Sequence, residues 1–341
     1  MPNVSYLNER KPSGPAANNN VSDASADKQR GRQAATPWRI PWRGWMDILI
    51  RTYQQFNEDR LQAVAAGVVF YGLLALFPAI TAIVSAYALF ATPNTINDHL
   101  SMLSGILPSG AFDIVKEQVG RVLAKGNLKL GTAFVASFLF ALWSANGGMK
   151  ALIDALNVAY DEQEKRGFLK LNAISLAFTF GGVLAVLIAI GAVVALPIVM
   201  ATIGLGSVTE VVFRVGRWPL LIVLMLLGLA LLYRFGPSRR SPQWQWLSVG
   251  SVFATLTWLA GSALLSYYLA NYANYDATYG SLGAAIGLMM WMWMSTMVVL
   301  LGAELNSEIE HQTKVDSTEG GGRPLGDRGA HVADTVGEAK A

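Results

Sequence analysis

Six long apolar stretches constrain the fold of this chain more than any other feature of its sequence. A transmembrane helix needs about 20 mainly apolar residues to cross roughly 30 Å of hydrocarbon. The stretches cover about 63–90, 130–149, 171–200, 218–233, 247–269 and 281–303. None shows the ten-residue alternation of a membrane barrel strand. We therefore predict an all-α, polytopic membrane protein with six transmembrane helices.

Composition supports a membrane protein and argues against several other classes. Apolar residues make up 53% of the chain and charged residues 14%, against about 25% charged in an average soluble domain. The net charge of +3 is small, and no dense basic patch with interleaved aromatic residues occurs, so no nucleic acid is expected as a partner. The chain has no cysteine, which excludes disulfides, thiolate metal sites and thiol nucleophiles.

The distribution of lysine and arginine predicts the orientation in the membrane. The side that holds both termini carries twelve of these residues near helix ends, and the other side carries six. Positive residues accumulate on the cytoplasmic side of membrane proteins. Both termini are therefore predicted to be cytoplasmic, in a multi-pass membrane protein.

Five segments outside the spans carry predictions of their own. Residues 38–56 mix tryptophan with arginine, which is typical of an interfacial helix. Apolar residues at helical spacing predict an amphipathic helix over about 111–124, in the first outer loop. Residues 150–166 are expected to continue the second span as a polar helix with charged pairs four residues apart. The tails, 1–37 and 312–341, are polar and are expected to be disordered.

Four stretches of the sequence resemble the YihY/BrkB family of bacterial inner-membrane proteins, also labelled virulence factor BrkB. These stretches are "AAGVVFYGLLALFPAI", "LFALWSANGGMKALIDALNVAYDEQEKRGF", "RWPLL…LLYRFGPSRR" and "YGSLGAAIGLMMWMWMSTMVVLLGAELN", which together cover roughly residues 45–310. The resemblance implies six helices with both termini inside. It implies no established activity: some members carry an old ribonuclease BN label, and others have been linked to serum resistance or envelope lipid export.

The residues themselves give a nuclease little support. A metal-dependent nuclease needs clustered His, Asp or Glu ligands, yet His99, His311 and His331 are isolated from one another in the sequence. Neither HExxH nor GxxxxGK[ST] occurs, and no GxSxG stands in a strand–turn–helix context. We predict that the chain is not an enzyme and that it needs no cofactor or metal.

Polar residues inside or at the edge of the bundle are the candidates for function, because ionisable groups at membrane depth are costly. Glu304 is expected at the membrane boundary on the side of the termini, paired with Arg60, Arg51 or Arg234; a proton or substrate gate is the alternative. The candidate pathway or head-group contacts are Asn146, Asp154, Asn157, Arg217, Trp218, Arg234, Asp276, Tyr279 and Glu304.

Small residues at four-residue spacing mark the start of the last span. Gly283 and Gly287 form a GxxxG pair, and Gly280 with Ala284 forms a second row. Such rows let helix backbones approach closely in a membrane. They are interpreted as packing positions of a tight outer hairpin, or alternatively as one wall of a lateral gate between the second, fifth and sixth helices.

The sequence therefore favours transport or export of a lipid or another envelope component, with membrane lipids as partners. Sparse charge inside the spans suits a lipid, which needs polar contacts only for its head group. The alternative is a non-transporting scaffold for envelope-assembly proteins. An enzyme on a membrane-embedded substrate would require Asp59, Asp154 and Glu304 to converge. A homo-oligomer is compatible with the sequence, which does not predict one.

Overall fold

A computed structural model describes residues 27–340 of the chain, except 89–115, 118, 122–123, 125–126, 191–206 and 272–281. Within these ranges the chain forms helices and no strand; one isolated antiparallel bridge joins Pro242 and Thr318. The helices are α1 (Trp42–Glu58), α2 (Leu61–Ala88), α3 (Asn127–Ala159), α4 (Phe168–Ile190), α5 (Ser207–Phe235), α6 (Trp244–Asn271), α7 (Leu282–His311) and α8 (His331–Asp334), with a 3₁₀ turn at Pro37–Arg39.

Five of these helices are long and apolar enough to cross a membrane. Their apolar segments are Leu61–Ile83, Phe168–Ala189, Val215–Phe235, Trp244–Leu269 and Ala285–His311. Helices satisfy every backbone polar group internally, which hydrocarbon requires. The predicted all-helical, multi-span architecture is thereby confirmed at the level of five candidate spans. The remaining predicted span, which is the second along the chain at about 130–149, lies within α3 and stays a prediction.

Several predicted boundaries differ from the structure. The span predicted for 171–200 corresponds to α4, which begins at Phe168, and residues 191–206 lie outside the described ranges. The span predicted for 218–233 corresponds to the longer α5. Most of the amphipathic helix predicted over 111–124 also lies outside those ranges, whereas the interfacial segment predicted over 38–56 corresponds to α1.

The long helices form a closed circuit of contacts. Each packs on the next along the chain from α2 to α7, and α7 packs back on α2. The α2–α3 pair is the most extensive, and α4 and α5 share the fewest contacts of any consecutive pair in the described circuit. Among the described residues, α4 and α5 are therefore the least tightly packed neighbours of the circuit.

Packing is densest at the end of the bundle where the described termini lie, which we call the basal end. Its core contains fully buried aromatic and aliphatic side chains from five helices and the turn after α3, including Leu61, Leu156, Tyr160, Tyr233 and Leu300. The interfacial helix α1 packs on α7 at this end and buries Ile48. A rigid basal end results, into which polar groups are built.

The C-terminal segment, residues 312–340, is ordered, which corrects the expectation of a disordered tail. Lys314 N–H donates to the Arg32 carbonyl at 2.7 Å, and Gly337 N–H donates to the His311 carbonyl at 2.8 Å. Residues 27–37 of the other tail are also ordered. The polar groups of this segment are satisfied by hydrogen bonds to the basal end, and Val332 adds a buried apolar side chain to its core.

Arg328 organises the C-terminal segment from inside. Its guanidinium is 3% exposed and donates to the carbonyls of Ala333, Lys314 and Arg323 at 2.6, 2.7 and 3.2 Å. Asp316 lies 3.9 Å from the same group. A segment with few apolar side chains can be held in one conformation by such a buried, multiply bonded cation.

We expect Arg328→Ala to loosen this segment without unfolding the bundle. Loss of hydrogen bonds to a buried charge costs about 2 kcal/mol, which raises the locally open population roughly thirtyfold. Cleavage by a glutamate-specific protease at the exposed Glu319 should accelerate accordingly. Arg323→Ala, at an exposed position of the same segment, is the matched control. Equal cleavage rates in the two variants would contradict this role of Arg328.

Residues 150–166 do not form the continuous helix that the sequence predicts. Helix α3 ends at Ala159, and Asp161 adopts a left-handed backbone with φ of 51°. The expected four-residue pairs are replaced by Lys165 with Glu162 at 2.7 Å and Arg166 with Glu164 at 2.6 Å. After this turn the Arg166 side chain donates to the Phe235 and Gly236 carbonyls at the end of α5, at 3.3 and 2.8 Å.

Candidate functional site

A cavity of about 850 Å³ opens between α4 and α5 at the basal end. Its deeper wall is apolar and consists of Ile174, Ala177 and Phe178 of α4 and Leu231 of α5, among others. Its basal rim carries six cations, and none of its lining residues is acidic. The six are Lys165, Arg166, Lys170, Arg234, Arg239 and Arg240. This arrangement, which we call the basic cavity, matches a molecule with an anionic head and an apolar tail.

The six cations differ in how far they are already neutralised. Lys165, Arg166, Arg234 and Arg239 each pair with one glutamate, at 2.7, 2.6, 3.2 and 2.7 Å; the partners are Glu162, Glu164, Glu319 and Glu310, respectively. Lys170 and Arg240 have no ion-pair partner among the described residues. No carboxylate therefore neutralises either charge among the described residues, although the Arg240 guanidinium donates to the Glu319 carbonyl at 2.6 Å.

Asn157 ties together the two loops that form the basal rim. Its side-chain carbonyl accepts from the backbone N–H of Ser238 at 2.7 Å, and its amide donates to Glu164 at 3.1 Å. Ser238 Oγ in turn accepts from the backbone N–H of Lys165 at 2.9 Å. The side chain is 4% exposed. Asn157, predicted as a head-group contact, therefore positions the rim.

Glu164 and Arg166 form a second link across the rim. Hydrogen bonds from Arg166 lower the pKa of the Glu164 carboxyl to about 2, so it is ionised at neutral pH. Arg166 also donates to the carbonyl of Gly236 at 2.8 Å. Glu164 neutralises the charge of Arg166, and the Gly236 carbonyl accepts from its guanidinium. Arg166 therefore shapes the cavity wall and adds little net positive charge to it.

Arg234, which the sequence predicts as a head-group contact, lines the cavity, and its side chain is held by several groups. It donates to the Pro242 carbonyl at 2.6 Å and lies 4.5 Å from the centre of the Trp244 ring. Glu319 of the C-terminal segment pairs with it at 3.2 Å. A cation held by one exposed carboxylate can exchange that partner for a ligand anion.

Glu304 is buried and does not pair with Arg60, Arg51 or Arg234, which corrects the pairing expected from the sequence. Its side chain is 1% exposed, and one carboxylate oxygen has no hydrogen-bond partner in the described structure. Arg51 binds Glu308 at 2.5 Å. Helix α7 continues to His311 instead of ending near 303, so Glu304 lies within it and not beyond its end.

The acids that an enzymatic site would need converge only in part. Asp59, Asp161 and Glu308 add negative charge to the surroundings of the buried Glu304. Asp154 lies apart from them, near Glu164, Arg166 and Lys150. Among the described residues, no group of three or more His, Asp or Glu side chains is arranged to hold a metal ion.

The other predicted contacts do not line the basic cavity. Asn146 is buried within α3, and its side-chain oxygen has no hydrogen-bond partner among the described atoms. Arg217 stacks on Trp218, 5.5 Å from its ring, in the first half of α5 and far along the helix from the basal end. Asp276, Tyr279 and Gly280 lie outside the described residues.

The structure shows close packing where the sequence allowed a lateral gate. Gly287 lies against Leu269 of α6, and Gly283 is buried. Trp258 of α6 and Trp291 of α7 make an edge-to-face contact at 5.9 Å between ring centres. The second, fifth and sixth predicted spans correspond to α3, α6 and α7, whereas the basic cavity lies between α4 and α5.

A second cavity, of about 620 Å³, lies between α1, α6 and α7. Its lining includes Trp45, Leu49, Phe56, Phe253 and Leu305, and none of its lining residues is charged. Without charged groups it offers no site for an ionic head group. The basic cavity is the better functional candidate for that reason.

Sequence reasoning missed Lys170, Arg239 and Arg240 as site residues. In the sequence these cations indicate only the orientation of the chain in the membrane. Lys170 nevertheless precedes the third predicted span, and Arg239 and Arg240 follow the fourth. Basic residues at the same end of two neighbouring helices are the signal that would have found the site. What the sequence does not show is which neighbouring helices are separated enough to leave a cavity.

Comparison with known proteins places this architecture in a family. The family model for virulence factor BrkB matches residues 52–324. The putative ribonuclease-like protein YfkH of Bacillus subtilis is 29% identical over 79% of the chain and 98% of its own length. A UPF0761 membrane protein of Haemophilus influenzae is 23% identical over 76% of the chain and 93% of its own length.

A UPF0761 membrane protein of Neisseria meningitidis serogroup B is 25% identical over 76% of the chain, and the chain spans 62% of that relative's length. No solved structure matches the chain. The family match covers most of the helical bundle, from the middle of α1 into the C-terminal segment. The chain is therefore a member of the virulence factor BrkB family of membrane proteins.

Proposed function

We propose that this protein moves an anionic lipid, or another envelope component with an anionic head, across the bacterial inner membrane. The observation that carries the proposal is the basic cavity, which joins a rim of six cations to an apolar wall between α4 and α5, the least tightly packed neighbours of the described circuit. A lipid requires this combination, because its head group needs charged partners and its chains need apolar surface.

The proposal includes six spans with both termini in the cytoplasm. The excess of lysine and arginine at the basal end supports this orientation, and it places the basic cavity at the cytoplasmic leaflet. An anionic head group there would meet Lys170 and Arg240 first, since neither has an ion-pair partner among the described residues. The loose packing of α4 against α5 would let its chains remain in lipid.

No catalytic activity is included in the proposal. The ribonuclease-like name belongs to YfkH, and no metal-holding arrangement of His, Asp and Glu occurs among the residues described for this chain. Membrane lipids are the partners that the basic cavity favours. Envelope-assembly proteins remain the partners expected if the chain is a scaffold instead.

The test is lipid movement in liposomes that contain the purified protein. Lys170→Glu/Arg240→Glu should slow the transbilayer movement of fluorescent phosphatidylglycerol by about thirtyfold, because each of the two lost contacts to an anionic head weakens binding by about 1 kcal/mol and the new carboxylates repel it. Movement of zwitterionic phosphatidylcholine should change less.

Arg39→Glu/Arg43→Glu is the matched control. These arginines are exposed at the same end and carry the same charge, but they do not line the basic cavity. A protein that accelerates no lipid movement, or two double variants that slow it equally, would contradict the proposal. A stable co-purifying partner together with unchanged lipid movement in both variants would favour the scaffold.

A further inference from the structure

Glu319 of the C-terminal segment contacts two cations on the rim of the basic cavity. Its carboxylate lies 3.2 Å from the Arg234 guanidinium. Its backbone carbonyl accepts from the Arg240 guanidinium at 2.6 Å. Both arginines line the basic cavity, although Glu319 itself does not. One residue of the C-terminal segment therefore presents two acceptor groups to two of the six rim cations.

The Glu319 carboxylate is held differently from the three other glutamates that pair with the rim. Glu162, Glu164 and Glu310 lie 2.7, 2.6 and 2.7 Å from their cations, and their side chains are at most 21% exposed. The Glu319 side chain is 67% exposed, whereas the Arg234 side chain beside it is 7% exposed. Because water screens an exposed carboxylate, such a contact is weak. Glu319 is therefore the glutamate of the rim that a ligand displaces most readily.

Release of this carboxylate does not require the C-terminal segment to detach. The Glu319 N–H donates to the Ser241 carbonyl, and the Gln243 N–H donates to the Ser317 carbonyl, both at 2.9 Å. These two bonds fix the backbone of the segment to the loop between α5 and α6. Rotation of the Glu319 side chain alone can thus open the site, while the backbone stays in place.

The charges of the rim indicate what replaces the carboxylate. Lys170 and Arg240 have no ion-pair partner among the described residues, and displacement of Glu319 adds Arg234 to them. Three rim cations without a carboxylate favour an anion with several charged oxygens. Arginine binds phosphate through two parallel N–H donors, which makes a phosphate group the best match.

We propose that Arg234 and Arg240 form the phosphate subsite of the basic cavity, and that the Glu319 carboxylate occupies this subsite until a ligand displaces it. The inference rests on the proposed function, because it requires a ligand with an anionic head in the cavity. Arg234 supplies the contact for which ligand and carboxylate compete, and Arg240 adds a charge that no described carboxylate neutralises. The C-terminal segment thereby lowers the affinity of the site for its ligand.

The size of this competition follows from the strength of the displaced contact. The apparent Kd equals the intrinsic Kd divided by the fraction of molecules in which the subsite is open. An exposed ion pair favours its closed form by about fivefold at most. Removal of the Glu319 carboxylate should therefore lower the Kd of an anionic ligand by about fivefold.

The first experiment measures phosphatidylglycerol binding to the full-length protein in detergent micelles. Glu319→Gln should lower the Kd by about fivefold. Glu338→Gln is the matched control, because Glu338 is an exposed glutamate of the same segment that pairs with Lys340 and does not line the basic cavity. It should leave the Kd unchanged. Equal Kd values for the wild type and Glu319→Gln would overturn the inference.

Glu319→Asp separates occupancy of the subsite from the negative charge alone. Aspartate keeps the charge, but its side chain is one methylene shorter, so its carboxylate no longer reaches Arg234. This variant should also lower the Kd, and both substitutions are at an exposed side chain, where the fold tolerates them. If Glu319→Gln lowered the Kd and Glu319→Asp did not, the charge of residue 319 would act without occupying the subsite, and the inference would be wrong.

Inorganic phosphate, titrated by phosphorus NMR, distinguishes failure of this inference from failure of the proposed function. If Glu319→Gln tightens phosphate binding by about fivefold while no variant binds or moves lipid, the subsite stands and lipid movement is rejected. If lipid binds equally well with and without the Glu319 carboxylate, the proposed function stands and the competition is rejected. Binding of neither probe would contradict both.

Discussion

Arg239→Ala should lower the free energy of unfolding by about 3–5 kcal/mol. The Arg239 and Glu310 side chains are both fully buried and form a bidentate pair at 2.7 and 3.1 Å. Ser317 Oγ donates to the same carboxylate at 2.9 Å. Removing the guanidinium leaves a buried carboxylate without its counter-charge, and this cost far exceeds that of a lost surface ion pair.

The double variant Arg239→Met/Glu310→Leu separates two quantities: the contribution of the ion pair to stability, and the cost of leaving one buried charge without its partner. Replacing both members of a buried pair with apolar side chains is often neutral or stabilising. We expect this double variant to unfold at a temperature much closer to that of the wild type than Arg239→Ala does.

Thermal unfolding in detergent, followed by tryptophan fluorescence, is the measurement. Arg240→Ala is the matched control, because Arg240 is adjacent, is partly exposed and has no ion-pair partner among the described residues. Its effect should stay within about 0.5 kcal/mol. An Arg239→Ala protein as stable as Arg240→Ala would show that the buried pair does not stabilise the basal end.

The helices were predictable from sequence because hydrocarbon requires a membrane span to be mainly apolar along its whole length. Apolar runs long enough to cross hydrocarbon located all five candidate spans, and the resemblance to the BrkB family is confirmed by the family match. Helix ends were less predictable. Glu304 and Glu308 look like residues beyond a span, yet packing by α1 and the C-terminal segment keeps them inside α7.

The basal network was not predictable, since its partners are distant in the sequence. Arg51 binds Glu308 across 257 positions, and Arg234 binds Glu319 of a segment expected to be disordered. Local rules favoured pairs four residues apart, such as Glu162 with Arg166. Those rules failed because Asp161 turns the chain before the helix can bring the two side chains together.

The predicted contacts and the residues that line the basic cavity overlap only in part, for a related reason. Asn157 and Arg234 belong to the rim of the basic cavity, and polarity near a span end was enough to select them. Lys170 and Arg239 share that polarity, but their importance depends on the gap between α4 and α5. A gap is a property of helix packing, which the apolar pattern of one helix does not encode.

The closest backbone approach of the described bundle gives the second large expected effect. A Cβ on Gly250 of α6 would overlap the Gly302 carbonyl of α7 and lie 2.5 Å from the Asn306 side chain. A Cβ on Gly302 would lie 2.5 Å from the Tyr233 hydroxyl and 2.8 Å from the Ala254 methyl group. Hydrogen bonds fix this contact, since Gly250 N–H donates to the Asn306 side chain at 2.8 Å.

Gly250→Ala and Gly302→Ala should each destabilise the protein by about 3 kcal/mol. Overpacking a rigid contact costs about 1–3 kcal/mol, and these contacts lie at the top of that range because backbone and hydrogen-bonded groups must move. The separation of α6 from α7 would also break the donation from Tyr233 to the Val299 carbonyl, which measures 2.8 Å.

Gly72→Ala is the matched control within the same bundle. A Cβ at that position would meet mainly the terminal methyl group of Met292, which is flexible and can move away. Its cost is offset by the higher helix propensity of alanine, worth about 1 kcal/mol, so the unfolding temperature should hardly change. Gly287→Ala, where Leu269 lies at 3.4 Å, should likewise be mild.

The unfolding temperatures of these alanine variants show which glycines are needed for the packing of α6 against α7. The GxxxG rule selects Gly287 from the sequence, whereas the structure places backbone contact at Gly250 and Gly302, near the basal end. If Gly287→Ala lowered the unfolding temperature more than Gly302→Ala, the outer half of α7 would carry the stability of the pair. The reverse order, which we expect, means that α6 and α7 are anchored at the basal end, beside the buried acids and the ordered C-terminal segment.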